Sequence, residues 1–523
     1  MPVNKPITFI KALLQPGAYP HPVETIELRE THISWVLLTG QYAYKIKKPV
    51  NFGFLDFSTL EKRRFFCTEE VRINRRLAPE LYLDVVAICG QPAHPQLGGE
   101  GEPMEYAVKM RQFDTRQGFD ELLARGELTL AHMDETAQVL AAFHASIDST
   151  AETSTYGTPA AIHEPTEENF VQLQQLDKQT LTPELHQQLA TLQQWSDETY
   201  QALLPVFAER KQQGFIRECH GDLHLRNITL WQGRVTPFDG IEFNANLRWI
   251  DVISELAFLL MDLDDHRRHD LAQHLLNAYL EITGDYTGLA VLRFYQLYRA
   301  MVRAKVAGLR LVQTAFSDEA ARQEMENYIG LAASYARPQA PRLIINHGLS
   351  GSGKTFVSQQ LLEKTSLIRL RSDVERKRLF GLGPGEASGS GINTGIYQAA
   401  ASERCYQHLL DLAEQLLGWG YSVLVDAAFL KLKQREAFAA LAKARGIPFL
   451  ILHCEASPEI QRQRIEARSS TGHDASEADL AILQQQLKTA QALSTAERKY
   501  TITLDTTQSP ELHQVITWLT KNP

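Results

Sequence analysis

The nonapeptide CHGDLHLRN, Cys219 to Asn227, gathers a thiol, two imidazoles, a carboxylate and a carboxamide, and two chemistries compete for it. A metal centre needs three or four ligands converging tetrahedrally, usually from two separated segments. Here every candidate lies within six residues, and no second Cys/His cluster or Gly-Asn-His-Asp segment accompanies it. A kinase catalytic loop needs a carboxylate to accept a hydroxyl proton and ligands for Mg2+, because phosphoryl transfer asks a protein for positioning and charge neutralisation. Asp222 is spaced to be that base and Asn227, five residues on, a metal ligand. About a dozen residues later PFDGIEFN sets Asp239 at a strand end as the second metal ligand, in the order of protein kinases.

The other parts of such a site can be sought independently. A strand lysine should meet the phosphates and a helix glutamate should hold it. AYKIKK offers Lys45 in an Ala-x-Lys setting, and CTEEVRINRRL supplies Glu70, with Glu69 as the alternative. Lys47 and Lys48 read as solvated neighbours of Lys45. His220 reads as a structural residue beneath the metal aspartate, and Arg299, Arg303 and Lys305 as a solvated or interdomain helix face.

A second phosphate signature lies downstream. GLSGSGKT is a complete Walker A motif, Gly348-x4-Gly353-Lys354-Thr355. Gly348, Ser350, Gly351, Ser352 and Gly353 would wrap backbone N–H groups around phosphates, and the following helix N-terminus adds its positive end. Lys354 would reach the β/γ oxygens and Thr355 would ligate Mg2+. Asp373 follows the next strand, near where an acceptor would lie, and Asp426 ends a strand in a Walker-B-like position. Arg462, Arg464 and Arg468 are spaced to close over a transferring phosphate as a lid does.

These groups need elements to position them. The first hundred residues are strand-rich, and "HISWVLLTG" and "QYAYKIKKP" form β-type runs about Thr39-Gly40-Gln41. Gly90–Pro103 reads as a hairpin loop and Ser149–Asn169 as a polar interruption. Helical periodicity dominates from about Phe119 to Tyr335, broken by a short hairpin near 228–238. Two prolines in ARPQAPR mark a linker at 336–342. After it, RLIINH, SLIRLR, YSVLVD, PFLILHC and YTITLD alternate with helices, which implies a parallel sheet covered on both faces.

The bulk numbers agree with this organisation. A chain of 523 residues is too long for one core, and 44% apolar with 22% charged residues is ordinary for a globular protein. A net charge of -9 argues against a nucleic-acid coat. Five scattered cysteines, none in a C-x-x-C pair, fit a reducing compartment. The opening stretch lacks a signal-peptide layout, and no apolar run approaches the roughly 20 residues of a membrane span. The expected location is the cytoplasm.

On HGDLHLRN, Lys45, and Leu140-Ala141-Ala142-Phe143-His144-Ala145, residues 1–335 resemble the aminoglycoside phosphotransferase (choline/fructosamine kinase-like) branch of the protein-kinase fold. That resemblance implies an N-lobe over about 1–113 and a C-lobe over about 114–335. It also implies a hinge at Met110–Phe113 and Asp251 bracing the catalytic loop. No G-x-G-x-x-G precedes Lys45, so Thr31–Trp35 is left to cover the phosphates. Residues 343–523 resemble small P-loop kinases of the polynucleotide kinase, zeta-toxin, gluconate kinase and chloramphenicol phosphotransferase type, which implies Asp373 as the base. The halves together resemble a bacterial bifunctional aminoglycoside phosphotransferase/ATP-binding family. The expected molecule is multidomain: a bilobal protein-kinase-like α+β domain, then an α/β P-loop kinase domain. Each module would pass the γ-phosphate of ATP or GTP, with Mg2+, to a hydroxyl of a small molecule. The rival reading is an RNA- or DNA-end kinase with a basic channel at Asp373.

Overall fold

The computed structural model describes residues 5–53, 55–176, 181–314, 317–390, 394–471 and 479–521. The chain groups into two compact units. The first comprises Met1–His132, Ala142–Val171 and Tyr200–Asp262; the second comprises Met133–Ala141, Gln172–Thr199 and Leu263–Pro523. Among the described residues no helix is long and apolar enough to cross a membrane.

In the first unit, β1 (Glu27–Glu30), β2 (Ser34–Leu38), β3 (Tyr42–Lys47), β4 (Tyr82–Gln91), β5 (His94–Leu97) and β6 (Glu105–Arg111) form one antiparallel sheet, ordered β1-β2-β3-β6-β4-β5. β5 lies inside the stretch expected to be loop, because His94–Leu97 pairs back onto the end of β4. Alternation along β3 divides its side chains between two faces. Tyr44 and Ile46 join Leu37, Ile88 and Ala107 in one apolar cluster. Lys45 and Lys47 face the other way, toward the helix Leu60–Asn74, whose start is capped by the Thr59 side chain accepting Lys62 N–H. Further along, β7 (Ile216–Glu218) leads into the 219–227 loop, and β8 (Ile228–Trp231) with β9 (Arg234–Pro237) make the expected hairpin. β10 (Trp249–Asp251) then pairs with β7.

The second unit holds the parallel sheet. β11 (Leu343–His347), β12 (Leu367–Arg371), β13 (Ser422–Asp426), β14 (Phe449–Glu455) and β15 (Thr501–Asp505) are ordered β12-β13-β11-β14-β15. Every residue of β11 is buried, as a central strand covered on both faces requires. One face packs Ile344, Leu450, Leu452 and Leu504 against Val357 and Leu361 of the helix Lys354–Leu362 and Val515 of the C-terminal helix. Strand order reverses about β11, which opens a crevice beyond the carboxyl ends, where the phosphate loop begins.

Candidate active sites

At the first site three distant segments meet at Lys45. Its Nζ lies 2.8 Å from Glu70 Oε1 and 2.5 Å from Asp239 Oδ1. Glu69 instead pairs with Arg72. Lys47 is not solvated: 1% exposed, its Nζ lies 2.6 Å from Glu70 Oε2 and also bonds Glu242. Its place two residues from Lys45 puts it on the same buried face. Lys48 bonds Glu30 at 2.6 Å. Burial opposes the charge on Lys45, but Asp239 and Glu70 hold its pKa well above the ordinary lysine value. Burial likewise works against Glu70, and the two lysines hold its carboxyl below the usual range. Glu242 is pushed up by burial, which Lys47 only partly offsets.

Asp239 itself sits at φ 62°, a left-handed backbone uncommon for a residue with a side chain. Two side chains not singled out from the sequence hold it there. Tyr82 OH accepts the Asp239 N–H at 3.0 Å, and Asn74 Oδ1 accepts that of Gly240 at 2.7 Å.

The 219–227 loop is fastened from beneath. His220 Nε2 bonds the Phe238 carbonyl at 2.8 Å, tying the loop to the Asp239 segment. The Gly221 N–H donates to Glu255 Oε2 at 2.8 Å, and His144 Nε2 meets the other oxygen at 3.0 Å. Asp251, the brace implied by resemblance, pairs with Arg210 (2.6 and 2.8 Å) and accepts the Ile253 N–H. Asn227 Nδ2 donates to the Asp222 carbonyl at 2.9 Å and its carboxylate at 3.2 Å. That leaves the Asn227 amide oxygen as the atom for a cation. His144, Cys219 and Glu255 form the trio of potential metal ligands found among the described residues, but they are buried and internally hydrogen-bonded. Met110 and Phe113 belong to an apolar cluster with Tyr82, Val108 and Phe238.

At the second site the phosphate loop depends on its glycines. Gly351 and Gly353 sit at φ 76° and 83°. A Cβ on Gly351 would stand 2.6 Å from the Gln461 carbonyl oxygen, and one on Gly353 2.8 Å from Thr506 Oγ1. Lys354, which opens the following helix, turns its Nζ onto the Leu349 carbonyl at 2.7 Å. Ser350 N–H is taken by Gln486 Oε1 at 2.8 Å. Asp426 is 6% exposed; Asn346 Nδ2 reaches its Oδ1 at 2.9 Å, while its Oδ2 is buried without a partner among the described residues, as is Ser352 Oγ. An orphaned carboxylate oxygen there has the chemistry of a ligand for a hard cation. A cavity of about 760 Å3 opens beside Gly348 and Leu349, lined in part by Gln461, Asp505 and Thr507.

The three arginines separate. Arg464 reaches Gly351 O (3.3 Å), Thr506 Oγ1 (3.0 Å) and Thr506 O (2.5 Å), whereas Arg462 is exposed on the same helix. The Arg468 side chain lies outside the described residues. Asp373 is half-buried at the start of the helix Ser372–Leu379. One turn later stands Arg376, which the sequence did not single out. It is 7% exposed, bonds Ile396 O and Ser402 Oγ at 3.2 Å, and keeps a buried Nε without a partner among the described residues. Arg299, expected on a solvated or interdomain face, is buried, which removes the solvated alternative for that residue.

The chain is 31% identical over 482 residues to the uncharacterized protein Rv2004c of Mycobacterium tuberculosis, covering 91% of this chain and 94% of the relative. The uncharacterized protein Mb2027c of Mycobacterium bovis matches to the same extent. The chain belongs to their family. Residues 343–493 match the family model AAA_33, described as an AAA domain. Among solved structures, amicoumacin kinase hAmiN in complex with AMP-PNP, Ca2+ and Ami is 13% identical, covering 63% of this chain and 94% of that one (TM-score 0.40). A choline/ethanolamine kinase family protein from Mesorhizobium loti is 10% identical with the same coverage (TM-score 0.37). A sugar kinase from Janibacter sp. is 23% identical over 34% of this chain and 94% of that one (TM-score 0.27). The chain thus joins an antiparallel-sheet unit that carries the Lys45–Glu70–Asp239 cluster to a parallel-sheet unit in which residues 343–493 match the AAA domain.

Proposed function

We propose that the chain is a phosphotransferase with two sites, each passing the γ-phosphate of ATP or GTP to a hydroxyl of a small molecule in the cytoplasm. The observation that carries this reading is the meeting of Lys45, Glu70 and Asp239 within 2.8 Å, from segments up to 194 residues apart. In the first site Asp222 takes the acceptor proton, Lys45 holds phosphate, and Met110–Phe113 offers an apolar wall to the base. In the second, Lys354 and the 348–353 backbone hold phosphate, Asp373 takes the acceptor proton and Arg464 closes the loop. Mg2+, held by Asn227 and Asp239 in one site and by Thr355 and Asp426 in the other, would neutralise charge on the transferring phosphate.

A small acceptor is favoured over a nucleic-acid end by the pairing of the nearby arginines. Arg369 and Arg371 are committed to Glu281 and Arg378 to Glu375, so they do not form an open basic channel beside Asp373. The Nε of Arg376, buried and without a partner among the described residues, is the donor we assign to an anionic group on the acceptor. The test is transfer of labelled γ-phosphate into a cell metabolite and RNA extract by wild type, Asp222→Ala and Lys354→Ala. Each single variant losing a different labelled product supports two kinases; a variant that loses none removes that site from the reading.

A further inference from the structure

β12 is an edge strand of the parallel sheet, and an edge leaves backbone groups without a neighbouring strand. Here one side chain supplies what a strand would. Asn277, 2% exposed on the helix His269–Thr283, donates through Nδ2 to the Leu367 carbonyl at 3.0 Å and accepts the Arg369 N–H on Oδ1 at 2.8 Å. One turn later on that helix, Glu281 faces the same strand. Its Oε1 takes Arg369 at 2.6 Å, and its Oε2 takes Arg371 at 3.4 Å. Its carbonyl also accepts from Arg378. Arg371 caps the helix Ser372–Leu379 and Arg378 lies near its end, so Glu281 grips both ends of the element that carries Asp373.

The same helix also holds the phosphate side. His274 Nδ1 meets Gln359 Nε2 at 2.9 Å, and Gln359 Oε1 accepts from Arg369 at 3.0 Å. Gln359 belongs to the helix that starts with Lys354 and Thr355. Asn277, Glu281, Arg369 and Gln359 therefore link the phosphate-binding helix to the segment bearing Asp373. The helix that makes these links precedes the matched AAA region, which begins at residue 343.

We infer that the helix His269–Thr283 is a working part of the second site, with Asn277 and Glu281 as positioning residues that set Asp373 against the phosphate held by Lys354. This rests on the kinase reading of that site given above. A displacement of about 1 Å at a reacting group costs up to roughly 100-fold in rate, so a clamp on both ends of a short helix has kinetic weight.

The experiment uses the full chain carrying Asp222→Ala, which silences the first site, and follows hydrolysis of Mg·ATP with water as acceptor. In that reaction water oxygen bonds the γ-phosphorus, the bond to the β-phosphate oxygen breaks, ADP leaves, and the water proton passes to Asp373. Glu281→Gln is expected to lower kcat about 10-fold with KM for ATP within about 2-fold, because the 348–355 cradle is untouched. Combined with Asp373→Asn it should add little, since both act on one step. Asn277→Ala should raise amide exchange in the 367–379 peptide and leave the 343–347 peptide protected. A wild-type kcat in Glu281→Gln, or fully additive losses, would overturn the inference, as would unchanged exchange in Asn277→Ala. Absence of Lys354-dependent turnover in the parent chain would overturn the kinase reading of the site instead, and the exchange measurement would still decide the clamp.

Discussion

Glu70 is shared between two lysines of one strand: Lys45 takes Oε1 at 2.8 Å and Lys47 takes Oε2 at 2.6 Å. The two contacts differ in kind. Lys45 is 13% exposed and its other partner, Asp239, is 43% exposed, so this pair opens on the site. Lys47 is 1% exposed and its other partner, Glu242, 4%, so this pair is sealed. A cation or phosphate arriving at Asp239 and Lys45 can exchange partners with them while Lys47 keeps Glu70 and Glu242 in place. Lys45 is thereby suited to chemistry and Lys47 to holding the frame.

Substituting the two lysines should therefore separate activity from stability. Lys45→Met should abolish transfer from the first site, by about 100-fold or more, with a small change in unfolding free energy. Lys47→Met leaves Glu70 and Glu242 buried with one cation fewer, a loss of about 3 kcal/mol, because removing one partner of a buried pair strands the others. Urea unfolding and a first-site transfer assay on both variants check this. Equal stability losses would contradict the division of roles.

Arg464 and Arg462 offer a second contrast on one helix. Arg464 fastens Gly351 and Thr506, whereas Arg462 is exposed. Arg464→Ala should weaken nucleotide binding at the second site about 10-fold, the scale of one or two charge-assisted hydrogen bonds. Arg462→Ala should change it by less than about 2-fold, as an exposed surface side chain would. Titration with a fluorescent nucleotide in the Asp222→Ala background reads both.

The five strands after residue 342 were legible because each is an apolar run flanked by turn signals, and β11 to β15 fall on those runs. Lys45, Glu70 and Asp239 were legible because their spacing follows from a strand, a helix and a hairpin that the local patterns describe. Lys47 was misjudged because a lysine in a KIKK run looks solvated; only alternation along β3, with partners 23 and 195 residues away, reveals its burial. Glu255, Asn74 and Tyr82 act through backbone N–H groups of distant loops, and no spacing rule connects them to their targets. β5 went unseen because a four-residue strand with a proline carries little periodic signal. The pairing of Asn277 with β12 has no local signature at all, since an asparagine in a helix reads as an ordinary polar residue.

The phosphate loop makes a steric prediction. Gly351→Ala places a methyl group 2.6 Å from a backbone oxygen at φ 76°, so the loop or the helix Pro458–Thr471 must shift. Nucleotide affinity at the second site should fall at least about 10-fold, with thermal unfolding shifted by only a few degrees, since the strain is local. Gly330→Ala, with open space about its Cβ, serves as the comparison and should bind as wild type.

His347, the residue before Gly348, gives a pH signature. Its Nδ1 lies 2.8 Å from His453 Nδ1, and His453 Nε2 meets Glu455 Oε1 at 2.7 Å, leaving His347 Nε2 buried without a partner among the described residues. Burial, with His453, Arg435 and Lys354 nearby and Glu497 only partly opposing, pushes the imidazole down to about 3. In the unfolded chain it titrates near 6.5, so between those values the unfolded state binds the proton and the folded state does not. The stabilisation is therefore complete above about pH 6.5 and drains away as pH falls toward 3, by up to about 1.4 kcal/mol per unit. His347→Gln should unfold with a shallower loss of stability between pH 6.5 and 5 than wild type, read by urea titrations at pH 7, 6 and 5. Parallel pH dependences would mean that His347 is protonated as readily in the folded protein as in the unfolded chain.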